Sequence, residues 1–523
     1  MLYRHVLLVF ILLLVPLRGS ADWINLTGAE TAPNIAEVSV TEAGVRVVFE
    51  LYPADRSIFL RKDRFALEVD ADGQLLEPEI RVQESRTPKD RFSPFAGMVD
   101  PRTQRQIPGP PQDKEVIYLD LFYAFPEGTG LPARITLTPP VDETGMTLAS
   151  IGFLLDHKTV PVVDFRYLSR AEALVLDWND PWYSTFENRN LVRHHRWPQM
   201  TFLYIEPREV RHESLVRVRD LLVWTGAEAE LDQVLAESGQ ERVRAAAREF
   251  FADRNPMTID GQDVERSAFR AEFLEITPRG LQVVPSELPL DASVALLGVS
   301  ESYWREGLPE TVAVQWELFD ERLQQVPTNV VDPAGPYPSF IDPKMPVMSW
   351  ENFLRDWKEP ELRGVRAGND DWFDLSRIRM AVTGTPGEET AGAVVEALIR
   401  QTAIAYLERD PSKQQAALSA VADPNQLSEL KPELDRIFAI PTTGGGVASI
   451  EALSVPTLEE LSAAPDDGGF RALVRWQARA VGRHWGHVDQ RRIGFRMLVD
   501  VGIREDSWKI LGLTVLEAQD VSG

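Results

Sequence analysis

Residues 45–52, VRVVFELY, place Val45, Val47, Phe49 and Leu51 on one side of an extended chain and Arg46, Val48, Glu50 and Tyr52 on the other. A period of two in side-chain direction marks a β-strand with one buried face. Such a face needs a second layer to cover it, so the pattern constrains the whole fold and not one element. The preceding IAEVSV, joined through Glu42-Ala43-Gly44, makes this one arm of a strand pair, and Asp72-Gly73 supplies a further tight turn. EVIYLDLFYAF (115–125), ARITLTP (133–139), LASIGFLL (148–155) and VPVVDFRYL (160–168) are short β-branched or aromatic runs punctuated by proline and glycine. That spacing predicts a β-sandwich-like domain over 22–178 instead of alternating βαβ units. The polar, Pro-rich stretch 88–111 reads as an excursion from its sheet.

A second β-rich domain is expected over 179–330. DWNDPWYSTFENRNL (177–191) reads as the junction, because Asp180-Pro181 breaks regular structure. MTFLYIE and SLVRVRDLLVW read as strands, although Leu215, Val218, Leu221 and Leu222 also suit one face of a helix. A helical insertion is predicted over 227–254, with Leu231, Val234, Leu235, Val243, Ala247, Phe250 and Phe251 on one stripe, ended by Asn255-Pro256. Strands resume with TIDGQDV, ASVALLGV and TVAVQWELF, the last turning Val312, Val314, Trp316 and Leu318 inward. Pro333, Pro336, Pro338, Pro343 and Pro346 then stiffen the chain and remove backbone donors, which predicts a linker over 331–382.

The last domain, 383–523, reads as α+β. TPGEE (385–389) has the form of a capping box, with Thr385 as N-cap, Pro386 at the first helical position and Glu388 at the third. Behind it Val394, Val395, Leu398, Ile399, Ala405 and Tyr406 recur at helical spacing, with Thr402 as the polar member of the stripe. A second helical stretch to about Phe438, a glycine stop at Gly444 to Gly446, and strands near 447–455, 470–481, 491–502 and 508–516 follow. Helices first and a run of antiparallel strands after them predict a cone in which a curved sheet wraps the opening helix.

The amino terminus bears on location. Arg4 precedes an apolar run from Val6 to Leu17, and Gly19 and Ala21 are small residues ahead of Asp22. This is the form of a secretory signal peptide, 1–21, cut after Ala21. The run is shorter than the roughly 20 residues needed to span a bilayer; retention as an uncleaved anchor is the rival reading. The chain has no cysteine among its 523 residues. That excludes disulfides, thiolate metal sites and a thiol nucleophile, and it suits a bacterial periplasm, where stray thiols mispair. A formal charge of −25 argues against nucleic acid or anionic lipid as partner, because both require a positive footprint. The local exception is 187–219, where Arg189, Arg193, Arg196, Arg208, Arg211, Arg217 and Arg219 outnumber Glu187, Glu206, Glu209 and Glu213.

RWQARAVGRHWGHVDQRRIGFRMLVDVGIREDSWKILGLTVLE resembles the closing sheet of an NTF2-like domain, with VVEALIRQTAIAYLERD as its first helix. The resemblance implies the α+β cone fold and no particular reaction, since NTF2-like domains include isomerases and dehydratases as well as domains that only bind or dimerise. NLTGAETAPNIAEV, PVVDFRYL and DWNDPWYSTFEN are similar to a family of exported bacterial proteins of uncharacterised role. Some of those anchor in the membrane after their middle region; here the corresponding linker has no spanning segment.

Two groups of residues are candidate binding sites. In GRHWGH (482–487), a two-residue loop at Trp485-Gly486 makes His484 and His487 cross-strand neighbours, with Asp489 on the same face. Two imidazoles and a carboxylate suit zinc or iron; the competing reading, which the weak spacing signal favours, is that these rings cap the open end of the sheet. In RHHRW and the strand after it, Arg193, His194, Arg196, Arg208 and Arg211 suit a carboxylate, phosphate or acidic surface. The alternative, again favoured, is a strand face of Arg-Glu pairs. GGGVAS lacks the Lys-Ser/Thr of a phosphate loop, and GVSES lacks the second glycine of a nucleophile elbow. The expectation is therefore an exported periplasmic or secreted protein that binds or scaffolds without catalysis and without a cofactor. Its partner would be an envelope protein or a small ligand, with homodimerisation through the C-terminal domain as one option. The alternative is an enzyme using the cone interior or the His-containing hairpin, with or without metal.

Overall fold

A computed structural model of the chain describes residues 27–61, 64–89, 115–126, 128, 130–193, 197–227, 234–277, 280–354, 356–358, 363–365, 386–442, 444–464 and 469–521. The fold is β-rich and multidomain, and among the described residues no helix is long and apolar enough to cross a membrane. It forms two compact units, one of Asp22–Pro198 with Ile276–Gly280 and one comprising Gln199–Glu275 and Leu281–Gly523.

In the first unit a six-stranded sheet runs Val160–Tyr167, Ile151–His157, Asn34–Thr41, Gly44–Leu51, Val116–Ala124, Pro78–Arg86. A five-stranded sheet runs Thr185–Phe186, Glu172–Val175, Arg134–Thr138, Glu68–Ala71, Gln74–Leu76. Val45, Val47, Phe49 and Leu51 are wholly buried, as the alternation requires, and share one core with Val69, Ile135 and Leu137 of the other sheet. On the opposite side Arg46 donates from Nε and Nη2 to both oxygens of Asp120 on the neighbouring strand. The stretch 177–191 is not a junction: Thr185–Phe186 pairs with Glu172–Val175, and Asp180 caps a single 3-10 turn at Pro181–Tyr183. Most of the 88–111 excursion lies outside the described residues.

The second unit opens with a seven-stranded sheet in the order Gly280–Val283, Ala268–Thr277, Leu296–Trp304, Glu209–Arg217, Gln199–Glu206, Val326–Asp332, Gly335–Ile341. SLVRVRDLLVW is divided between two elements. The strand ends at Arg217 and a helix covers Val218–Thr225, closed by Gly226 in the left-handed region. The helix expected over 227–254 is narrower, Glu237–Phe250, with Val234–Leu235 a short strand and 228–233 outside the described residues. These helices cover one face of the sheet: Leu221, Val243, Ala247 and Phe251 pack with Leu203, Ile205, Val216, Leu297 and Val299.

The predicted linker contributes strands to two sheets in its first twenty or so residues. Gly335–Ile341 pairs with Val326–Asp332 as the outer strand, and Val347–Glu351 joins a smaller sheet beside Thr311–Gln315. Pro336 and Pro338 are two residues apart on that outer strand, so their missing N–H groups both fall on one side. An edge strand tolerates this because its open side has no ladder bond to lose.

Among the described residues the C-terminal part has three helices, Glu388–Ala405, Pro411–Val421 and Leu427–Phe438, in place of the two long segments expected. The first is capped by Gly387, two residues beyond the expected N-cap; Thr385 itself lies outside the described residues. Buried Thr402 is reconciled with its apolar stripe by donating to the Leu398 carbonyl at 2.7 Å. The strands Arg363–Val365, Ser449–Ser454, Phe470–His484, His487–Arg504 and Ser507–Asp520 follow one another in the sheet, and Thr457–Ala463, which the sequence pattern did not predict, also pairs with Phe470–His484. Helices and sheet meet along a row of rings, Tyr406, Phe438, Trp476 and Phe495, with successive centroids 5.4, 5.9 and 4.9 Å apart.

Candidate functional site

The strands Phe470–His484 and His487–Arg504 are joined by Trp485-Gly486, and His484 stands directly opposite His487 in the register. Both turn residues have positive φ, 46° and 78°. That suits a two-residue hairpin but is unusual for a tryptophan. The conformation is held because the tip is docked. The Trp485 N–H donates to Glu213 Oε2 at 2.6 Å, the indole N–H to the Gly444 carbonyl at 2.8 Å, and the Gly486 N–H to the Tyr204 hydroxyl at 2.8 Å. The indole is completely buried, and its six-membered ring lies against Gly298 so closely that an added Cβ there would sit 2.5 Å from Cη2.

The surface that receives the tip is the second face of the seven-stranded sheet. Along Gln199–Glu206, Leu203 and Ile205 point to the helix-covered core, so Phe202 and Tyr204 point to the hairpin. Along Glu209–Arg217, Val210 and Val216 face the core; Glu209, Arg211 and Glu213 face the other way. Arg211 donates from Nη1 to Glu209 at 2.7 Å, from Nε to Glu213 at 2.9 Å and from Nη2 to the Arg483 carbonyl at 2.5 Å, and its guanidinium lies 4.6 Å from the centre of the Tyr204 ring. Arg-Glu pairing along a strand face is thus present, but the face is buried.

Burial is the largest influence on Glu209, Arg211 and Tyr204. It pushes Glu209 up, but Arg211, Arg409 and hydrogen bonds from Ser302 and Arg211 outweigh it and hold the carboxyl below its ordinary value. Burial opposes the charge of Arg211, yet Glu209, Glu213 and Glu206 raise its pKa above the usual guanidinium range. Tyr204 is raised well above its ordinary value, by burial and then by Glu213, so its hydroxyl remains protonated.

His484 is 3% exposed, and its Nε2 lies 3.1 Å from Asp489 Oδ2. Its other nitrogen, Nδ1, is buried without a hydrogen-bond partner, against the backbone of Gly444. Among the described residues no group of three or more His, Cys, Asp or Glu side chains is arranged to hold a metal ion.

The sequence treats the hairpin and the basic segment as two sites; the structure brings part of them together. Arg211, His484 and Trp485 share one interface, and Arg208 reaches the same C-terminal part by donating to Glu408 at 2.8 Å. Arg193 belongs elsewhere. It is 8% exposed within the first unit, donates to the carbonyls of Pro161 and Trp182, and stacks on the Trp182 ring. His194 and Arg196 lie outside the described residues.

Sequence reasoning missed Tyr204, Gly298, Arg270 and the role of Gly444 to Gly446. The triple glycine was the available signal. A Cβ on Gly444 would lie 2.2 Å from the His484 ring, and one on Gly445 would lie 2.5 Å from Arg270 Nη1. Three consecutive glycines therefore mark a place where side chains press against backbone. Beside this turn the sheet face and the C-terminal part border a half-open cavity of about 210 Å³, lined by Arg270, Arg409, Gly445 and Gly446 among others.

No family model matches the chain, and a search of curated proteins finds no match. Among solved structures it is similar to the crystal structure of the intermembrane space region of chloroplast protein ARC6. That similarity is at 15% identity over 25% of this chain and 98% of that chain, with a TM-score of 0.20, too low to argue from.

Proposed function

We propose that this is an exported protein of the bacterial envelope that binds or scaffolds without catalysis. In this reading 1–21 is a cleaved signal peptide, the two β-rich parts are sandwich-like domains, and the C-terminal part is an NTF2-like domain available for dimerisation or ligand binding. One observation carries the reading: the residues best suited to chemistry, in GRHWGH and at Arg208 and Arg211, are engaged in an internal joint. Groups fixed by buried partners on both sides serve architecture better than turnover, since a reacting group needs an approach for its substrate.

The test is made on protein from its native cells. Mass spectrometry of the purified chain is expected to find Asp22 as the first residue, and crosslinking is expected to capture envelope proteins. A cytoplasmic product that still begins at Met1 would refute the export reading. Stoichiometric zinc or iron, lost on His487→Ala, would instead favour the metal-dependent enzyme.

A further inference from the structure

The hairpin does not use up the charged face of the seven-stranded sheet. The cavity beside Gly445 and Gly446 is bordered by four arginines, 211, 270, 409 and 483, against two glutamates, 209 and 213. In a chain of net charge −25 this is a local inversion of sign. Arg211 is shared between both glutamates, so it offsets one of their two charges. Arg483 is paired with Glu451 at 2.9 Å, and Arg409 donates to Ser449 Oγ at 3.0 Å while its Nε remains 3.9 Å from Glu209.

Arg270 differs from its neighbours. Its Nη1 is buried and has no hydrogen-bond partner. Gly445 and Gly446, at φ +85° and +83°, let the guanidinium lie flat against their backbone; a Cβ on either would come within 2.5 and 3.0 Å of Nη1. Burial lowers the pKa of Arg270, with Glu213 opposing that shift. A guanidinium stays charged in proteins, and a buried charged donor without an acceptor is costly. Arg270 also lines the cavity, so an acceptor bound there would offset the charge of the same guanidinium.

We propose that this cavity binds a small oxyanion, a carboxylate or a phosphate, with Arg270 as its principal ligand and Arg409 as the second. The planar fork of a guanidinium matches two oxygens of either group. At about 210 Å³ the space is smaller than the roughly 300–1,000 Å³ of sites for drug-sized ligands, so its size suits a short-chain acid or orthophosphate. The site supplies a ligand class for the binding role proposed above and rests on it. Export and crosslinking read that role without any anion, so the two can fail separately.

The test is calorimetric titration of the full-length mature protein with acetate, succinate and orthophosphate at low ionic strength. At least one is expected to bind saturably, and the ranking among the three separates a carboxylate site from a phosphate site. Arg270→Gln is expected to weaken that binding about 10- to 100-fold, the loss of one charge-assisted pair, and Arg270→Lys less, because it keeps the charge and loses the fork. Saturable binding of none of the three, or equal affinity in Arg270→Gln, would overturn the proposal. Should Arg270→Gln fail to fold, Arg409→Gln decides it: weakening supports the site, and unchanged affinity rejects it.

Discussion

The joint between the hairpin and the seven-stranded sheet can be tested by a pair of substitutions chosen from its geometry. A Cβ at Gly298 would lie 2.5 Å from both Cη2 and Cζ2 of Trp485 and 2.7 Å from Leu274 Cδ1. None of these is an acceptable contact, and neither the indole nor the strand has room to retreat, so Gly298→Ala should cost about 1–3 kcal/mol, the usual range for overpacking. Trp485→Ala deletes a wholly buried ring and should cost about 3–5 kcal/mol. In the double variant the ring that the new methyl would strike is gone. Most of the Gly298→Ala penalty should then vanish, leaving a coupling of about 1–2 kcal/mol between two residues nearly 190 positions apart in sequence. Urea denaturation gives the three free energies. Hydrogen exchange of the Trp485 and Gly486 amides, which donate into Glu213 and Tyr204, reports the local opening. Additivity within about 0.5 kcal/mol, or exchange unchanged in Gly298→Ala, would show that the ring does not rest on this strand in solution.

Glu213 is wholly buried between Arg211 and the Trp485 amide, so Glu213→Ala should destabilise the second unit by about 3–5 kcal/mol, since it strands the Trp485 N–H and leaves Arg211 with Glu209 as its remaining carboxylate. Arg211→Met combined with Glu209→Gln and Glu213→Leu should recover much of that loss in thermal denaturation; a triple variant as unstable as Glu213→Ala would contradict the charge argument. In the first unit, His157 is wholly buried, bonded through Nδ1 to Ser184 Oγ at 2.7 Å and set edge-on to Trp178. Burial, with Lys158 adding to it, lowers its pKa from 6.5 to about 4. The folded pKa is below the unfolded one, so the unfolded chain takes up a proton that the folded chain refuses. Stability is therefore full above pH 6.5, falls as pH drops from 6.5 to about 4, and is level below that. The accumulated loss is about 3 kcal/mol, measurable by denaturation across that range, and His157→Gln should flatten the slope.

The apolar alternation that predicts Val45, Val47, Phe49 and Leu51 inside is a local property, and the structure has each of them buried. The turn at Trp485-Gly486 was legible for the same reason: two residues between long strands leave few conformations. What could not be read was the partner of each surface. EVRHESLVR alternates charged and uncharged side chains, which in isolation describes a strand with one wet face. Both faces are buried, because the face carrying Glu209, Arg211 and Glu213 is covered by a hairpin some 270 residues later in the chain. The prolines of 331–347 were misread for a related reason. Proline lacks a donor wherever it stands, but only the position of a strand within its sheet decides whether a donor is missed.

The division of labour within the joint follows from magnitudes. Arg211, Glu209 and Glu213 gain attraction in a low dielectric but lose their hydration, and such exchanges come close to break-even against apolar packing of the same volume. The net stabilisation of docking then falls to the Trp485 ring, whose burial is worth a few kcal/mol with no charge to desolvate. The charges act through what their misplacement would cost. Three acceptors must be met at once from the hairpin and its surroundings: Glu213 by the Trp485 amide, the Arg483 carbonyl by Arg211, and the Gly444 carbonyl by the indole. A shift of one residue in either strand would send alternate side chains to the wrong face and strand a buried carboxylate against apolar surface. The ring thus sets how tightly the parts are held, the ion cluster sets in which register, and the cavity under Gly445 and Gly446 is left with a guanidinium whose acceptor the fold itself does not provide.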